Sequence, residues 1–396
     1  MKIVIAGKNN IAVDVLKYAL DEFKLPIFVV LNKTETFKNN FQKSLGFYAN
    51  KWKVPVIKLE EVYDFNDCVF ISLEFDRIIN PDLFKSKKLF NIHFSLLPAY
   101  KGMYTSAWPL INGETRTGVT LHKIDSGIDT GEIIDQKKIS IAKSTTSRDL
   151  YLNYVEEGTK LTIKNLNFLI ENTFKYKKQS FKGSSYYNKE SIDYLNLRVN
   201  YIQTAFQISN QIRAFTFREY QLPKFKNTEI NSSIILKSRS NCKAGSILKE
   251  DNLSFIIATI DFDIKLNKDL FSLLCNYCEI NDFYSLEKLL KFYNLDLEVK
   301  SGEGWTALMI AAYNGSLECA VLLIDAGADV NACNYNFTSV LMFAKSNALK
   351  NNNTKLIDIL IDNGANIYAK DIYNKNVIDW VKNENTELHE HILSKI

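Results

Sequence analysis

The chain has 396 residues and a formal net charge of +4, with 46% apolar and 24% charged residues. This length predicts two or three domains, and the composition is that of a soluble globular protein. The sequence shows no basic stripe, no apolar run of about 20 residues and no signal peptide. We therefore expect a cytoplasmic protein that binds neither nucleic acid nor a membrane.

Strand and helix signals alternate in the first part of the chain. Short apolar runs at 2–6, 26–31, 68–73 and 89–93 predict strands, and the spacing in 11–20 predicts a helix. This alternation is typical of a Rossmann-like α/β fold with a parallel sheet, helices on both faces and ligands beyond the carboxyl ends of the strands. The turn Gly7-Lys8-Asn9-Asn10 lacks the Gly-x-Gly-x-x-Gly fingerprint, so no dinucleotide cofactor is expected.

The pattern changes in residues 186–268. Part of 191–217 has helical apolar spacing, and 233–237, 246–248 and 255–264 predict strands. We expect a small, mixed, β-rich middle domain at 186–268. It would lie between a first domain at 1–185 and a helical domain at 269–396.

The C-terminal part repeats itself. Thr306 and Thr338 begin equivalent segments, and Gly327-Ala328-Asp329 is repeated at Gly364-Ala365-Asn366. The period is close to the 33 residues of ankyrin repeats, which this segment resembles, although Ala307 and Met309 replace the usual Pro and His. The resemblance implies two repeats with capping helices at 271–279, 286–292 and 377–391, and an Asn-rich loop inserted at 350–354.

Cysteine and histidine spacing does not predict a metal site. Cys275 and Cys278 lie in a helical apolar pattern without a second pair, which indicates buried small side chains. His389 and His391 are two residues apart and would point to different faces of a helix. We expect no bound metal.

The chemistry is concentrated in two motifs. The first is Asn91-Ile92-His93-Phe94-Ser95-Leu96-Leu97-Pro98, in which a strand presents Asn91 and His93 on one face, because residues i and i+2 share a face. An amide and an imidazole therefore point into one cleft. The second motif is a loop rich in Gly and Asp that ends at Asp129-Thr130-Gly131.

Together these motifs are similar to those of the formyltransferases that use formyl-folate, over roughly residues 1–180. The resemblance implies 10-formyltetrahydrofolate as the donor and Asn91, His93 and Asp129 as the catalytic residues. Asn91 and His93 would stabilise the oxyanion that forms when an amine attacks the formyl carbon, and Asp129 would orient His93 or relay a proton.

The resemblance also places the folate against two loops and one residue between them. For Phe75-Asp76-Arg77 the alternative is an ordinary loop after a strand. Met103 stands where relatives often carry a polar or basic residue. The implied folate contacts are Phe75, Asp76, Arg77, Met103, Asp125, Ser126, Gly127 and Ile128.

Several acceptor amines remain open. Methionyl-tRNA requires a basic surface that this charge pattern lacks, whereas the middle domain resembles that of the sugar N-formyltransferases. We expect a homodimer that acts on a dTDP-linked dideoxyamino sugar of O-antigen synthesis, dTDP-3-amino-3,6-dideoxyglucose, with dTDP-4-amino and UDP-amino sugars as alternatives. Substrate contacts are expected from Asn9, Asn10, Tyr104, Arg213, Arg218, Tyr220 and Trp305.

Trp305 precedes Thr306 at a position that ankyrin repeats use for an exposed turn. Its ring either packs near Tyr335 or Phe337, or stacks on a flat ligand such as a nucleobase, which would make the repeats a second small-molecule site. A hypothesis of another class is an ankyrin interaction protein with a vestigial catalytic fold. The intact Asn91, His93 and Asp129 favour the enzyme.

Overall fold

The structure is a computed structural model that describes residues 1–195, 197–293, 295–382 and 384–395. It forms two compact units, of which the first contains Met1–Lys38 and Gln42–Lys268 and the second contains Asn39–Phe41 and the chain from Asp269 onward. The middle region at 186–268 therefore lies in the same unit as the N-terminal part. Within the described ranges, none of the helices is long and apolar enough to cross a membrane.

The first unit is organised around a mixed sheet with the strand order β2-β1-β3-β4-β6-β7. The strands and their bounds are β1 (Lys2–Gly7), β2 (Ile27–Leu31), β3 (Cys68–Leu73), β4 (Lys88–His93), β6 (Arg116–Lys123) and β7 (Ile133–Ser140). A short ladder joins β5 (Lys101–Gly102) to β8 (Tyr186–Tyr187).

The prediction of a purely parallel sheet is wrong at one edge. Strands β2, β1, β3 and β4 are parallel, but β6 runs antiparallel to β4, and β7 antiparallel to β6. The physical reason is the connection. Parallel neighbours need a long crossover, whereas the short loop 124–132 turns the chain from β6 straight back into β7. This accounts for the pair β6–β7, and the longer segment 94–115 reverses the chain between β4 and β6.

Helices cover both faces of this sheet. They are α1 (Asn9–Glu22), α2 (Leu45–Lys51), α3 (Leu59–Val62), α4 (Trp108–Ile111) and α5 (Ser147–Glu171), with 3-10 turns at Pro81–Leu83 and Lys189–Ser191. Strand residues alternate between two cores. Ile5 and Ile71 pack with α1 and α5, and Val4 and Phe70 pack with Val62 of α3. The α/β fold class is therefore confirmed.

The middle region is β-rich, as predicted. After α6 (Ala205–Phe215) comes an antiparallel sheet with the order β11-β12-β13-β10-β9. Its strands are β9 (Lys224–Phe225), β10 (Thr228–Ile235), β11 (Ile247–Glu250), β12 (Ser254–Ile257) and β13 (Ile264–Lys268). The single strand predicted at 255–264 is thus two strands joined by a turn.

The second unit contains paired helices. They are α7 (Phe271–Ile280), α8 (Phe283–Phe292), α9 (Ala307–Asn314), α10 (Leu317–Asp325), α11 (Val340–Asn351), α12 (Lys355–Asp362), α13 (Val377–Val381) and α14 (Thr386–Leu393). The predicted capping helix at 377–391 is in fact α13 and α14. Asn385 interrupts it, because its side chain accepts a hydrogen bond from the Leu388 amide and caps α14.

The longer second repeat also differs from its prediction. The extra residues lengthen a helix, since α11 has 12 residues where α9 has 8. Lys350 and Asn351 belong to α11, which Asn352 ends in the left-handed conformation, φ 54°. The inserted loop is therefore shorter than the predicted 350–354.

Candidate active site

Asn91 and His93 lie at the carboxyl end of β4, on the face opposite Ile92. Across the sheet Asn91 pairs with Ser72 of β3 on one side and with His122 of β6 on the other. His93 is the last residue of the strand and is buried, 7% exposed. The pleat of one strand thus places an amide and an imidazole side by side.

Asp129 meets both side chains from the loop between β6 and β7. Its Oδ2 lies 3.4 Å from His93 Nδ1, and its Oδ1 lies 3.5 Å from Asn91 Nδ2. The Gly102 amide donates to Oδ2 at 2.9 Å. Gly102 has φ +85°, and a Cβ there would stand 2.2 Å from the Tyr187 carbonyl oxygen, so glycine is required at this amide donor. The structure therefore brings the three predicted catalytic residues together.

His122 is a fourth member of this cluster that the motif analysis missed. Its Nε2 lies 3.1 Å from Asn91 Nδ2 and 3.6 Å from Asp129 Oδ1, and its Nδ1 lies 2.7 Å from the Lys123 carbonyl oxygen. A carbonyl only accepts, so Nδ1 carries a proton. Nε2 then accepts from Asn91 when the ring is neutral and can donate to Asp129 when the ring is an imidazolium. The sequence signal was a polar residue in the buried run of β6.

The same reasoning fixes one nitrogen of His93. Its Nε2 lies 2.7 Å from the Tyr100 carbonyl oxygen and therefore carries a proton. Nδ1 then faces Asp129, and it can donate a hydrogen bond to that carboxylate only when the ring is protonated to an imidazolium. The cluster can accordingly hold a proton on His93 between the Tyr100 carbonyl and the Asp129 carboxylate.

The Asp129 carboxylate carries a negative charge at this site near neutral pH. Burial alone would raise the pKa of its carboxyl, but the charge attraction of His93 and the hydrogen bond with His122 hold that pKa well below its usual range. The carboxylate can therefore orient and stabilise a cationic neighbour, and it is not a proton donor near neutral pH.

A glutamine holds the backbone of the Asp129 loop. Asp129 has φ 53°, a left-handed conformation that is uncommon outside glycine. Gln179 Nε2 donates at 2.8 Å to the Asp129 carbonyl and at 2.8 Å to the Gly131 carbonyl. These two bonds support the turn that aims the carboxylate at His93. Sequence reasoning had no signal for Gln179, which lies in a polar segment far from both motifs.

The residues predicted to contact folate lie on exposed loops beside this cluster. Met103 follows Gly102 and is 45% exposed, and Ile128 precedes Asp129 and is 41% exposed. Two large, exposed apolar side chains thus stand next to the residues that form the hydrogen bond between Gly102 and Asp129. Asp125 Oδ1 accepts from the Gly127 amide and from the Thr130 hydroxyl, so it shapes the turn that contains Ser126.

The loop after β3 is held by its own polar contacts. Asp76 Oδ2 accepts from the Lys33 amide at 2.7 Å, and the Arg77 guanidinium lies 4.6 Å from the ring centre of Phe75 and donates to the Leu31 carbonyl. These side chains stiffen the loop at the carboxyl edge of the sheet. Folate contact there remains a prediction.

The predicted substrate residues near the N-terminus are bonded to other side chains of the protein. Asn9 and Asn10 form the first turn of α1. Asn9 Nδ2 donates to Glu74 and Tyr151, whereas Asn10 bonds to Gln42 and Lys43. Tyr104 donates through its hydroxyl to the Lys189 carbonyl at 3.0 Å.

The three substrate residues predicted in the middle region, Arg213, Arg218 and Tyr220, differ in how much of each side chain is available to a ligand. Arg213 donates to the Thr145 carbonyl at 2.9 Å and to Asn210 Oδ1 at 2.7 Å, so protein acceptors take its guanidinium. Arg218 is partly buried. Tyr220 is 62% exposed and packs on Phe217 at a centroid distance of 4.7 Å. Of the three, Tyr220 presents most surface to a ligand.

Of the two alternatives for Trp305, the structure shows packing within the repeats, but on other residues than Tyr335 or Phe337. The ring does not project from an exposed turn but packs on Phe343 of α11 at 4.4 Å and on Tyr313 of α9 at 5.2 Å. Tyr335, the predicted neighbour, covers Gly304 instead, where a Cβ would stand 2.6 Å from its ring. The neighbouring repeat therefore supplies the packing surface.

Within the described ranges, no three His, Cys, Asp or Glu side chains are placed so that they could hold a metal ion together. Cys278 is buried in the core of the second unit, and Cys275 is partly buried. His391 pairs with Asp358 at 2.8 Å.

Comparison with known proteins assigns this site to a class. Residues 22–166, which contain β2 to β7, match the formyl transferase family, and residues 270–371 match three copies of the ankyrin repeat. The N-terminal core that carries Asn91, His93 and Asp129 is thus that of a formyltransferase, and ankyrin repeats follow it in the same chain.

Solved structures narrow the class. The chain is 45% identical to the N-formyltransferase of Helicobacter canadensis, described in complex with folinic acid and dTDP-3-aminofucose; the match covers 68% of this chain and 100% of that one, with a TM-score of 0.64. It is 44% identical to WlaRD, described as a sugar 3N-formyl transferase in the presence of dTDP and 5-N-formyl-THF, over 68% of this chain and 97% of that one, with a TM-score of 0.64.

A more distant relative is the methionyl-tRNA formyltransferase of Clostridium tetani, 24% identical over 286 residues, which are 68% of this chain and 91% of that protein. The high identity over the full length of the Helicobacter protein decides the family. The chain belongs to the sugar N-formyltransferases, enzymes that take the formyl group from a formyl-folate.

Proposed function

We propose that the protein is a cytoplasmic, homodimeric enzyme that transfers the formyl group of 10-formyltetrahydrofolate to the amine of dTDP-3-amino-3,6-dideoxyglucose, for O-antigen synthesis. The observation that supports the substrate class is the 45% identity to a protein described with dTDP-3-aminofucose. That sugar also carries its amine at carbon 3, and the identity spans the complete chain of that protein.

The site residues take the following roles in this proposal. The amine nitrogen attacks the formyl carbon, a C–N bond forms, and the carbonyl oxygen becomes an oxyanion that the Asn91 amide and the positive charge of a protonated His93 stabilise. The intermediate then collapses, the bond from the formyl carbon to folate N10 breaks, and N10 takes up the proton that the amine has lost. Asp129 and His122 keep His93 and Asn91 oriented during these steps.

Mass spectrometry tests this function directly. The full-length enzyme is incubated with 10-formyltetrahydrofolate and a panel of dTDP- and UDP-linked 3-amino and 4-amino sugars, and each sugar is examined for a mass gain of about 28 Da. The proposal expects the fastest gain with the dTDP-3-amino sugar. Formylation of only a UDP sugar or of methionyl-tRNA would overturn it.

A second function is proposed for the ankyrin repeats: a site for the nucleotide part of the substrate or product at Trp305. The support is an aromatic cluster beside a cation. Trp305 is partly buried against Phe343, Tyr313 is 37% exposed, and the Lys350 ammonium lies 4.8 Å from the Tyr313 ring centre. A flat ring to stack on and a positive charge are the features that a nucleotide requires.

Fluorescence titration with dTDP-sugar tests this site in the full-length enzyme. Trp305→Ala is expected to weaken one binding phase by roughly fivefold or more, because base–aromatic stacking contributes about 1–3 kcal/mol. Trp380→Ala is the matched control, since Trp380 donates to Asp371 elsewhere in the repeats. An unchanged isotherm and an unchanged dependence of rate on substrate concentration in Trp305→Ala would point to a protein partner instead.

A further inference from the structure

Glu74 lies at the carboxyl edge of the sheet and belongs to none of the motifs. It is the first residue after β3 and has φ 55°, so its backbone turns out of the strand in a left-handed conformation. Asn9, the first residue of α1, has φ 66°. Two non-glycine residues on neighbouring segments thus have a left-handed backbone conformation. Such local backbone strain is concentrated at functional sites in proteins.

The register of the sheet places Glu74 beside the catalytic cluster. Gly7 pairs with Leu73, and Leu73 pairs with Ile92. Glu74 follows Leu73 along the chain, and His93 follows Ile92. Glu74 and His93 therefore both lie at the carboxyl edge of two neighbouring strands.

Three side chains form one hydrogen-bonded group there. Asn9 Nδ2 donates to Glu74 Oε2 at 3.0 Å and to the Tyr151 hydroxyl oxygen at 2.7 Å, and the Tyr151 hydroxyl donates to the same Oε2 at 2.9 Å. The Tyr151 ring packs edge-on against Phe94, the residue after His93, at 6.0 Å. The carboxylate is therefore held in one orientation next to the catalytic strand.

One oxygen of this carboxylate is left available. Oε2 takes both hydrogen bonds, and among the described residues none donates to Oε1. Burial raises the pKa of the Glu74 carboxyl above its ordinary value, while nearby Lys8 acts in the opposite direction. A partly buried acceptor that is fixed on one side and open on the other is suited to a ligand that brings a hydrogen-bond donor.

We infer that Glu74 Oε1 binds a hydrogen-bond donor of the aminohexose ring, either the ammonium or a hydroxyl next to it, and so positions the sugar beside His93 for attack on the formyl carbon. The inference rests on the proposed function. It deepens that function, because Asn9 and Tyr151 become the residues that orient the sugar-binding carboxylate. Tyr220, which packs on Phe217 near Tyr151, closes the same side of the cleft.

Glu74→Gln tests the inference with little change of shape. The amide oxygen still accepts from Asn9 and Tyr151, whereas its NH₂ group replaces the open acceptor by a donor. We expect the KM and the calorimetric Kd for the nucleotide sugar to rise about tenfold or more, and the KM for formyl-folate to stay within about twofold. The melting temperature should not fall, because the neutral side chain removes a partly buried charge.

Two further variants and one ligand complete the experiment. Glu157→Gln, the same change on the surface of α5 where Glu157 pairs with Lys160, should leave all constants unchanged. Tyr151→Phe should give a smaller loss of sugar affinity, because Oε1 stays in place with one clamp removed. A dTDP-6-deoxyhexose with hydroxyl in place of the amine separates the two donors: a loss in Glu74→Gln with this ligand identifies a hydroxyl, and a loss only with the amino sugar identifies the ammonium.

The outcomes separate this inference from the proposed function. If the wild type formylates the amino sugar and Glu74→Gln matches it in sugar KM and Kd, Glu74 does not bind the sugar. If the wild type binds but does not formylate the sugar, the proposed function fails and the calorimetric comparison still decides the role of Glu74. If the wild type neither binds nor formylates any nucleotide sugar, both are overturned.

Discussion

Buried polar groups in the two units of the molecule show two different uses. In the first unit His93, His122 and Asp129 form a charged cluster at the edge of a sheet, and Asp129 has a left-handed backbone. In the second unit Thr306 and Ser339 are buried as helix caps, and each accepts a hydrogen bond from a backbone amide of its own helix. Polar burial therefore assembles a reactive site in one unit and completes secondary structure in the other.

The largest difference between the units is expected for substitutions in the charged cluster. His93→Asn or Asp129→Asn should lower kcat about a hundredfold or more, because each removes an acid–base or oxyanion contribution, while the protein stays folded. Steady-state kinetics and circular dichroism measure the two effects. Activity within about threefold of the wild type in both variants would contradict the assignment.

The pH dependence sharpens the same comparison. Because the pKa of Asp129 is held well below its usual range, this carboxylate is ionised in the folded enzyme throughout the working range. The Asp129 carboxylate therefore contributes to the free energy of unfolding at any pH above the pKa that this carboxyl has in the unfolded chain. That contribution is lost as the pH falls through the lowered pKa of the folded protein. If the rate of the wild type falls on the acid side between about pH 9 and pH 5, that fall comes from another group than Asp129. The same fall should therefore remain in the pH–rate profile of Asp129→Asn.

A moderate effect is expected at Gln179. Gln179→Ala removes both hydrogen bonds that support the Asp129 turn, so kcat should fall about tenfold with a smaller change in the two KM values. Gln203→Ala, the same change in the middle region, serves as the control. A fall in melting temperature with unchanged kcat would show that Gln179 supports only the fold.

The smallest effect on chemistry is expected from removal of residues 269–396. The catalytic cluster and the separate hydrophobic core of the first unit both lie before Asp269. The truncated chain should therefore transfer formyl groups at saturating substrate within about threefold of the full-length rate. Loss of the circular dichroism signal on truncation would show that the first unit cannot fold without the repeats.

Local periodicity explains how much was predictable from the sequence. Asn91 and His93 share a face because a strand has a period of two, and β3 has the bounds that its apolar run predicts. The ankyrin period likewise follows from repeated Gly327 and Gly364. These features depend on neighbours along the chain, so the sequence alone determined them, together with the formyltransferase motifs.

Tertiary structure decided the contacts between distant segments. His122 joins Asn91 only because β6 runs antiparallel to β4 in one register, and Gln179 reaches Asp129 from a polar segment 50 residues away. Trp305 packs on Phe343 of the next repeat, a partner that the sequence did not indicate. Such pairings depend on how elements pack in space, and periodicity along one element carries no information about which partner a side chain will meet.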